Sequence, residues 1–533
     1  MGTPRGPIRA PVAFRDVPPT PIAAALPAAP RPARAMPTGL ARLAALAGVP
    51  EGDRPAEGTV TGVTLRTQDV RPGDLFAALP GARAHGADFV GAALAAGASA
   101  LLTDPAGATR PSVAQAPVPV LVVDDPRGVL GKLAAAVYGD PTARLKVLGV
   151  TGTSGKTTVS FLVDAGLRAA GHTTGLLGTV RTTIAGQRWD SALTTPEASD
   201  LQALFAVMAE RGVTHAAMEV SSHALALHRV DGTRFAVAAF TNLSQDHLDF
   251  HRDMESYFAA KSALFDGRAG EEVVNADDPW GRRLITEDTL TVSAAGRVDA
   301  AWRAEAVLPT PDGGQRFVAV APSGRRTEAT LALPGAFNVA NGLLALACLD
   351  RLGVPAEAAV EGLATASVPG RLERVDAGQP YLAVVDYAHK PAAVAALLDT
   401  LSARVVGTGG RLLIVLGCGG DRDAAKRPLM GAEAASRADL LVITDDNPRG
   451  EDPATIRAAM RAGALAAPPK GEVIEVGDRR DAIAEAVRRA RAGDVLVVAG
   501  KGHESGQLIG AERRPFSDVD ELASAIRRLE STR

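Results

Sequence analysis

One short stretch limits most what this chain can become: Val150-Thr-Gly-Thr-Ser-Gly-Lys-Thr-Thr158, directly after the apolar run Leu145-Lys-Val-Leu-Gly149. Apolar residues feeding a loop of small residues that ends in Gly-Lys-Thr predict a strand, a tight turn and the start of a helix. Such a unit holds nucleotide phosphates. Its glycines let backbone N–H groups approach the phosphate oxygens, and the helix N-terminus adds its positive end. Gly152, Thr153, Ser154, Gly155, Lys156, Thr157 and Thr158 form the expected loop, with Lys156 reaching the outer phosphates and the Thr157 hydroxyl available to Mg2+. The common form of this loop has a glycine five residues before Gly155, where this chain has Val150.

At 533 residues the chain exceeds one hydrophobic core, and three domains of ordinary size are expected. Hydrophobic residues make up 46% and charged residues 22%, and no apolar stretch is long enough to cross a bilayer, so a soluble protein without membrane insertion is predicted. The net charge of −3 argues against a nucleic-acid partner held by bulk electrostatics. Two cysteines, Cys348 and Cys418, allow at most one disulfide and no zinc-type cluster, which fits the reducing cytoplasm. Residues 1–37 hold ten prolines, five arginines and one acid, Asp16. That composition cannot bury enough apolar surface to offset chain entropy, so a disordered extension is expected, with Met36 an alternative translation start.

Beyond the extension, short apolar runs alternate with helical stretches in three blocks, 38–143, 144–369 and 370–533. Gly58–Leu65, Asp74–Leu79 and Pro119–Val123 are the strand candidates of the first block, Val237–Thr241 and Glu272–Asn275 belong to the second, and a polar hairpin-like region near 300–330 interrupts it. Tyr381–Val385, Arg411–Leu416, Asp439–Thr444 and Asp494–Val498 are the strands of the third. This alternation predicts an α/β fold with parallel sheets built from βαβ units, whose ligands bind beyond the carboxyl ends of the strands.

Several strand ends carry chemistry. Glu219, in Met218-Glu-Val-Ser-Ser-His223, is placed to be a second Mg2+ ligand, although alone it also reads as a helix-starting acid. Thr241-Asn-Leu-Ser-Gln-Asp-His-Leu-Asp-Phe-His251 crowds two histidines and two aspartates before Lys261, which suggests a metal or phosphate site or else a solvated loop with a capping Asp. Thr194-Thr-Pro-Glu197 alone reads as a turn opening a helix. In the third block, Gly417-Cys-Gly-Gly-Asp-Arg-Asp423, Asp445-Asp-Asn-Pro-Arg-Gly450 and Gly500-Lys-Gly-His-Glu504 each follow a strand. They supply Arg422, Arg449, Lys501 and Glu504, a mixture suited to a zwitterion: arginine forks grip a carboxylate and an acid grips an ammonium.

With these motifs in place the chain resembles the Mur ligases, the ATP-dependent amino-acid-adding enzymes of peptidoglycan synthesis. Their phosphate loop, Gly-Thr-x-Gly-Lys-Thr, is matched by Gly152–Thr157 and has no need of a glycine at Val150. The resemblance covers residues 58 to 520 and includes Glu219–His223, Asp246–Asp249, Asn275–Asp278, Gly335–Asn341, Gly370–Glu373 and Asp386–His389. Asp446-Asn-Pro-Arg449, with the flanking third-block motifs, resembles the diaminopimelate-adding type, and Arg449 is its specificity marker.

The resemblance implies three domains: a UDP-substrate-binding α/β domain, a central P-loop ATPase-like domain and a Rossmann-like C-terminal domain. It implies that Thr157 and Glu219 hold one Mg2+, and that His247 and a Lys261 carboxylated by CO2 hold another. Asn275, Asn341, Arg371 and Asp386 would join the phosphate loop around ATP. Leu65, Thr67, Thr194, Thr195, Ser221, Arg229 and Lys261 would hold UDP-N-acetylmuramoyl-L-alanyl-D-glutamate. Near Thr67, Arg66-Thr-Gln68 replaces the family's frequent Asp-Ser-Arg. Arg422, Asp446, Asn447, Pro448, Arg449, Gly500 and Glu504 would hold meso-2,6-diaminopimelate. Lys156, Lys261 and His247 are the implied catalytic set, and a monomer is expected. The rival readings are a lysine-adding Mur ligase, a folylpolyglutamate-synthetase-like ligase, and a P-loop nucleotide switch that binds partners without making bonds.

Overall fold

The computed structural model describes residues 29–530, apart from Ala56, Ala82, 190–192, Asp249, Arg297 and 311–313. Residues 1–28 of the expected extension, and Asp249 of the histidine-rich stretch, lie outside the described residues. The chain divides into two compact units, one of Met1–Arg303, Ala321–Arg325 and Leu343–Gly362, the other of Ala304–Val320, Arg326–Gly342 and Leu363–Arg533. Within them the predicted α/β character holds, with three sheets dominated by parallel strands.

In the first unit, Gly62–Thr64, Asp74–Ala77, Ala100–Thr103 and Val120–Val122 pair in parallel and in chain order. The run Gly58–Leu65 is two short strands rather than one, because Thr59–Val60 pairs antiparallel with Thr38–Gly39 whereas Gly62–Thr64 joins the parallel sheet beside Asp74–Ala77. Leu75, Leu102 and Leu121 of this sheet share a core with Leu130 and Leu133 of the helix Pro126–Val137, and Leu65 packs at its margin.

A second sheet carries the phosphate loop. Its parallel strands run in the order Thr174–Leu177, His215–Glu219, Lys146–Thr151, Phe235–Phe240, Ala269–Asn275 and Leu290–Ser293. The phosphate-loop strand therefore lies between the strand that ends in Glu219 and the strand that leads into Thr241. Three polar strand ends are brought to one edge by this order.

In the second unit a six-stranded sheet follows the order Glu373–Val375, Leu382–Asp386, Val495–Ala499, Leu412–Cys418, Leu440–Asp445 and Glu472–Glu475, with only the first pair antiparallel. Leu412, Ile414 and Leu416 face one core while Leu413 and Val415 face another. That two-sided burial explains why the strand reads as an unbroken apolar run. The polar region near 300–330 contains the antiparallel hairpin Gln315–Val320 and Arg326–Leu331.

The expectation of disorder through residue 37 differs from the structure at its last residues. The Arg31 guanidinium donates to both Asp74 carboxylate oxygens at 2.6 and 2.7 Å, and the Ala33 and Arg34 N–H groups donate to the Glu210 carboxylate at 2.9 and 3.1 Å. Composition does not reveal a buried acid waiting elsewhere in the chain, and here Asp74 is that acid, 1% exposed. Replacing Arg31 by alanine strands that carboxylate and should lower stability by about 3 kcal/mol. Denaturant unfolding checks this against Arg34→Ala, which keeps its backbone bond and should stay close to wild type. Among the described residues no helix is long and apolar enough to cross a membrane.

Candidate active site

Several helices open on a side-chain cap, as where Asp125, Asp452 and Asp478 accept N–H bonds from the first turn. The helix Lys156–Ala169 opens differently. Its N-cap is Gly155, at φ 86°, and no side chain caps it. The positive end of the helix is turned onto the loop with no internal carboxylate competing for an anion. Gly152 is required by contact as well as conformation: at φ +143° a Cβ would lie 1.9 Å from the Thr241 hydroxyl oxygen.

The loop is held from the neighbouring strand end. Thr153 N–H donates to the Asn242 carbonyl at 2.8 Å, Ser154 N–H to Asn242 Oδ1 at 3.1 Å, and the Thr241 hydroxyl to the Ser154 carbonyl at 2.6 Å. Asn275 steadies this scaffold through a 2.9 Å bond from its amide to the Thr241 carbonyl. Lys156 Nζ lies over the loop, donating to the Gly152 and Thr153 carbonyls at 2.9 and 3.0 Å. Lys261, 1% exposed, brings a second ammonium to the same Gly152 carbonyl at 2.8 Å.

On the other side stands Glu219, also 1% exposed. Its Oε1 accepts from the Thr157 hydroxyl at 3.0 Å and from Thr179 N–H at 2.9 Å, and its Oε2 accepts from the Thr179 hydroxyl at 3.1 Å. Thr179 in turn bonds Thr194 at 2.9 Å, and the Thr195 hydroxyl reaches the Glu219 carbonyl at 2.9 Å and receives Ser221 N–H at 3.1 Å. Arg229 contacts the Thr195 carbonyl at 3.4 Å and pairs with Glu197 at 2.9 Å. Thr157, Glu219, Thr194, Thr195, Ser221 and Arg229 thus form one connected, largely buried polar network. Thr67 lies apart, opening the turn Thr67–Asp69, while Arg66 beside it ties that turn to the helix Ala198–Glu210 through Asp200 at 3.2 Å.

Among the described residues no three His, Cys, Asp or Glu side chains gather in a metal-binding group. The rings pack on one another instead, His223 against His247 at 4.9 Å and His251 against Tyr257 at 5.0 Å between centroids. His251 bonds the Ser222 hydroxyl at 2.9 Å, and burial, then the charges of His223 and Lys261, lower its pKa to about 4. His247 sits at φ +52° with Nε2 3.1 Å from Asp246.

The remaining predicted residues belong to the second unit. Asn341 donates to Asn338 at 3.1 Å. Asp386 accepts from Leu372 N–H at 2.7 Å and Ala388 N–H at 2.8 Å, and burial raises its pKa despite the opposing charge of Arg371, whose guanidinium lies 4.5 Å from the Tyr387 ring.

The three third-block loops meet. Arg449, at φ +52°, donates to the Gly420 carbonyl at 2.8 Å, and Asn447 donates to Glu504 at 2.9 Å. Pro448 packs so tightly on the first loop that a Cβ on Gly420 would come within 1.9 Å of its carbonyl oxygen. A Cβ on Gly500 would lie 2.8 Å from the Asp446 carboxylate. Burial, and then the neighbouring charge of Arg422, pulls the Arg449 pKa below its ordinary value. Two guanidiniums held near each other favour an anionic guest. Lys501, read from the sequence as a ligand-gripping cation, is fully buried and turned onto Asn447 and Glu504.

Sequence reasoning assigned no role to Thr179, which clamps Glu219, or to the hairpin Gly506–Ile509 and Glu512–Pro515. That hairpin holds the Asp446–Arg449 loop, with Gln507 donating to the Asp446 carbonyl at 2.7 Å and Arg449 N–H to the Leu508 carbonyl at 3.0 Å. A Gly178-Thr179 pair ending a strand was the available signal for the first, whereas the polar hairpin offered none.

Three family models match the chain. "Mur ligase family, catalytic domain" matches residues 59–138, "Mur ligase middle domain" residues 150–349, and "Mur ligase, glutamate ligase domain" residues 370–502. A UDP-N-acetylmuramoyl-L-alanyl-D-glutamate--2,6-diaminopimelate ligase of Streptomyces avermitilis is 54% identical, over 94% of this chain and 98% of its own. The protein of the same name from Corynebacterium glutamicum is 52% identical over 85% and 89%. A solved structure of a ligase with this name is 31% identical, with TM-score 0.67, and covers 93% of this chain and 100% of that one. The phosphate loop without its leading glycine, the Glu219 strand end and the three loops of the second unit are accounted for together: this chain belongs to the Mur ligase family.

Proposed function

We propose that this chain is a cytoplasmic ligase that uses ATP to join meso-2,6-diaminopimelate to UDP-N-acetylmuramoyl-L-alanyl-D-glutamate, forming a peptidoglycan precursor. The observation that carries the reading is the meeting of Arg422 and Arg449 with Glu504 and Asn447 on three strand-end loops. Paired guanidiniums suit a second carboxylate, which diaminopimelate has and lysine lacks, while Glu504 suits an ammonium. The names of the relatives support the same assignment.

Gly152 to Thr158, with Asn275, Asn341, Arg371 and Asp386, form the proposed ATP-binding set. Leu65, Thr67, Thr194, Thr195, Ser221, Arg229 and Lys261 form the set for the UDP-substrate. The γ-carboxylate of the D-glutamyl residue attacks the γ-phosphorus of ATP, giving an acyl phosphate and releasing ADP. The diaminopimelate amine then attacks the acyl carbon, and the C–N bond forms as the amine loses a proton and phosphate departs. Lys156 and the first turn of its helix hold phosphate charge during the first transfer. Thr157 and Glu219 are buried hard oxygen donors 3.0 Å apart and fit Mg2+. His247 and Lys261 fit a second ion only after CO2 adds to the Lys261 amine with loss of a proton, because an ammonium repels a cation. Bound Mg2+ supplies charge neutralisation at the phosphates.

Phosphate release measured with each substrate omitted in turn tests the reading. Release should require the UDP-muramoyl dipeptide and an amino acid together, with meso-diaminopimelate favoured over L-lysine by about a hundredfold or more in kcat/KM. A wild type that prefers lysine overturns the specificity and leaves the ligase. ATP turnover indifferent to both substrates overturns the ligase itself.

A further inference from the structure

The turn after the strand Val495–Ala499 places Lys501 where no ligand reaches it directly. Gly500 and Gly502 flank it at φ +114° and +53°, and a Cβ on either would lie 2.8 Å from a neighbour, the Asp446 carboxylate or the Gly370 carbonyl. The two glycines turn the Lys501 side chain inward, under the Asp446–Arg449 loop, where it is 0% exposed. Its ammonium donates to Asn447 Oδ1 at 2.9 Å and to Glu504 Oε2 at 3.1 Å.

Those two bonds determine how both partners face outward. Asn447 Oδ1 also accepts Leu508 N–H at 2.9 Å, so the amide oxygen must point toward Lys501 and the amide nitrogen toward Glu504, to which it donates at 2.9 Å. A flipped amide would set two N–H groups against an ammonium and a backbone N–H. On Glu504 both bonds fall on Oε2, so Oε1 is the oxygen presented to a guest. Glu504 is 33% exposed while Lys501 is 0% exposed, so the acid forms the wall and the lysine lies behind it.

We infer that Lys501 is the positioning residue of the amino-acid site: it orients the Asn447 amide and half-neutralises Glu504, so that the site accepts the ammonium of a diaminopimelate whose carboxylate is taken by the two arginines. The inference rests on the proposed substrate assignment. Without Lys501, Glu504 keeps only its bond from Asn447 and Asn447 Oδ1 keeps only the Leu508 N–H, so each loses one of its two tethers.

The test is a double-mutant cycle on the full chain, with Lys501→Met and Glu504→Gln, read as KM for meso-diaminopimelate, ATP and the UDP-substrate. Lys501→Met should raise KM for diaminopimelate at least about tenfold, the worth of one hydrogen bond to a charged group. KM for ATP and for the UDP-substrate should stay within about twofold of wild type, and Glu504→Gln should cost less in the Lys501→Met background than alone. Since removing a buried charge can prevent folding, the same cycle is run with Lys501→Arg, which keeps the charge but changes its reach and should show the same selective rise. Costs that simply add, or KM values that rise together for all three substrates, overturn the positioning role. A wild type that does not use diaminopimelate overturns the substrate assignment instead, so the two failures are distinguishable.

Discussion

Lys261→Ala should lower kcat by about a thousandfold or more, with purified protein that remains folded. The side chain is buried, and its Nζ lies 2.8 Å from the Gly152 carbonyl that also receives Lys156 Nζ at 2.9 Å. Two ammoniums on one carbonyl oxygen repel each other beside a loop proposed to gather phosphate and Mg2+. Conversion of Lys261 to a carbamate removes that repulsion and substitutes an anionic oxygen ligand. The discriminating measurement is rescue: acetate or formate added to Lys261→Ala should restore part of the turnover, and bicarbonate-depleted wild type should lose part of its own. Full activity in the alanine variant would remove the carbamate from the mechanism.

Arg449→Ala should raise KM for meso-diaminopimelate by about a hundredfold, while KM for ATP stays near wild type. The guanidinium is tethered by the Gly420 carbonyl at 2.8 Å, and burial, then the charge of Arg422, lowers its pKa. Arg449→Lys should recover little, since a point charge cannot reproduce the planar fork. The comparison with L-lysine sharpens the result. Discrimination between the two amino acids should collapse in the alanine variant, and an unchanged ratio would place selectivity elsewhere.

Local chemistry was legible in the chain, and neighbourhood was not. The phosphate loop could be read because everything it needs lies within fifteen residues: the strand Lys146–Thr151, Gly152, Gly155 and the helix from Lys156. The strand ends at Glu219 and Asp445 could be read for the same reason, since each closes an apolar run, whereas Asp386 came only with the family resemblance. Sheet order could not. Nothing near Lys146 says that its strand lies between His215–Glu219 and Phe235–Phe240, and that order brings Glu219 to Thr157 and Asn242 to the loop. Lys501 was misjudged because burial is a property of neighbours: one lysine between two glycines looks exposed until Asn447, 54 positions away, supplies its acceptor. The expected end of the disordered extension was misplaced by the same route, through Arg31 and an acid 43 positions away.

The left-handed backbone of Arg449 brings folding and selectivity together at one residue. An arginine at φ +52° is held where glycine would rest without strain, at a cost of about 1 kcal/mol. Arg449→Gly relieves that strain but loses the 2.8 Å bond to the Gly420 carbonyl and loosens the unfolded chain, so it should gain no heat stability while it binds its amino acid far worse. The tether to Gly420 thus offsets what the left-handed backbone costs, and selection for heat tolerance alone would have no reason to remove the arginine.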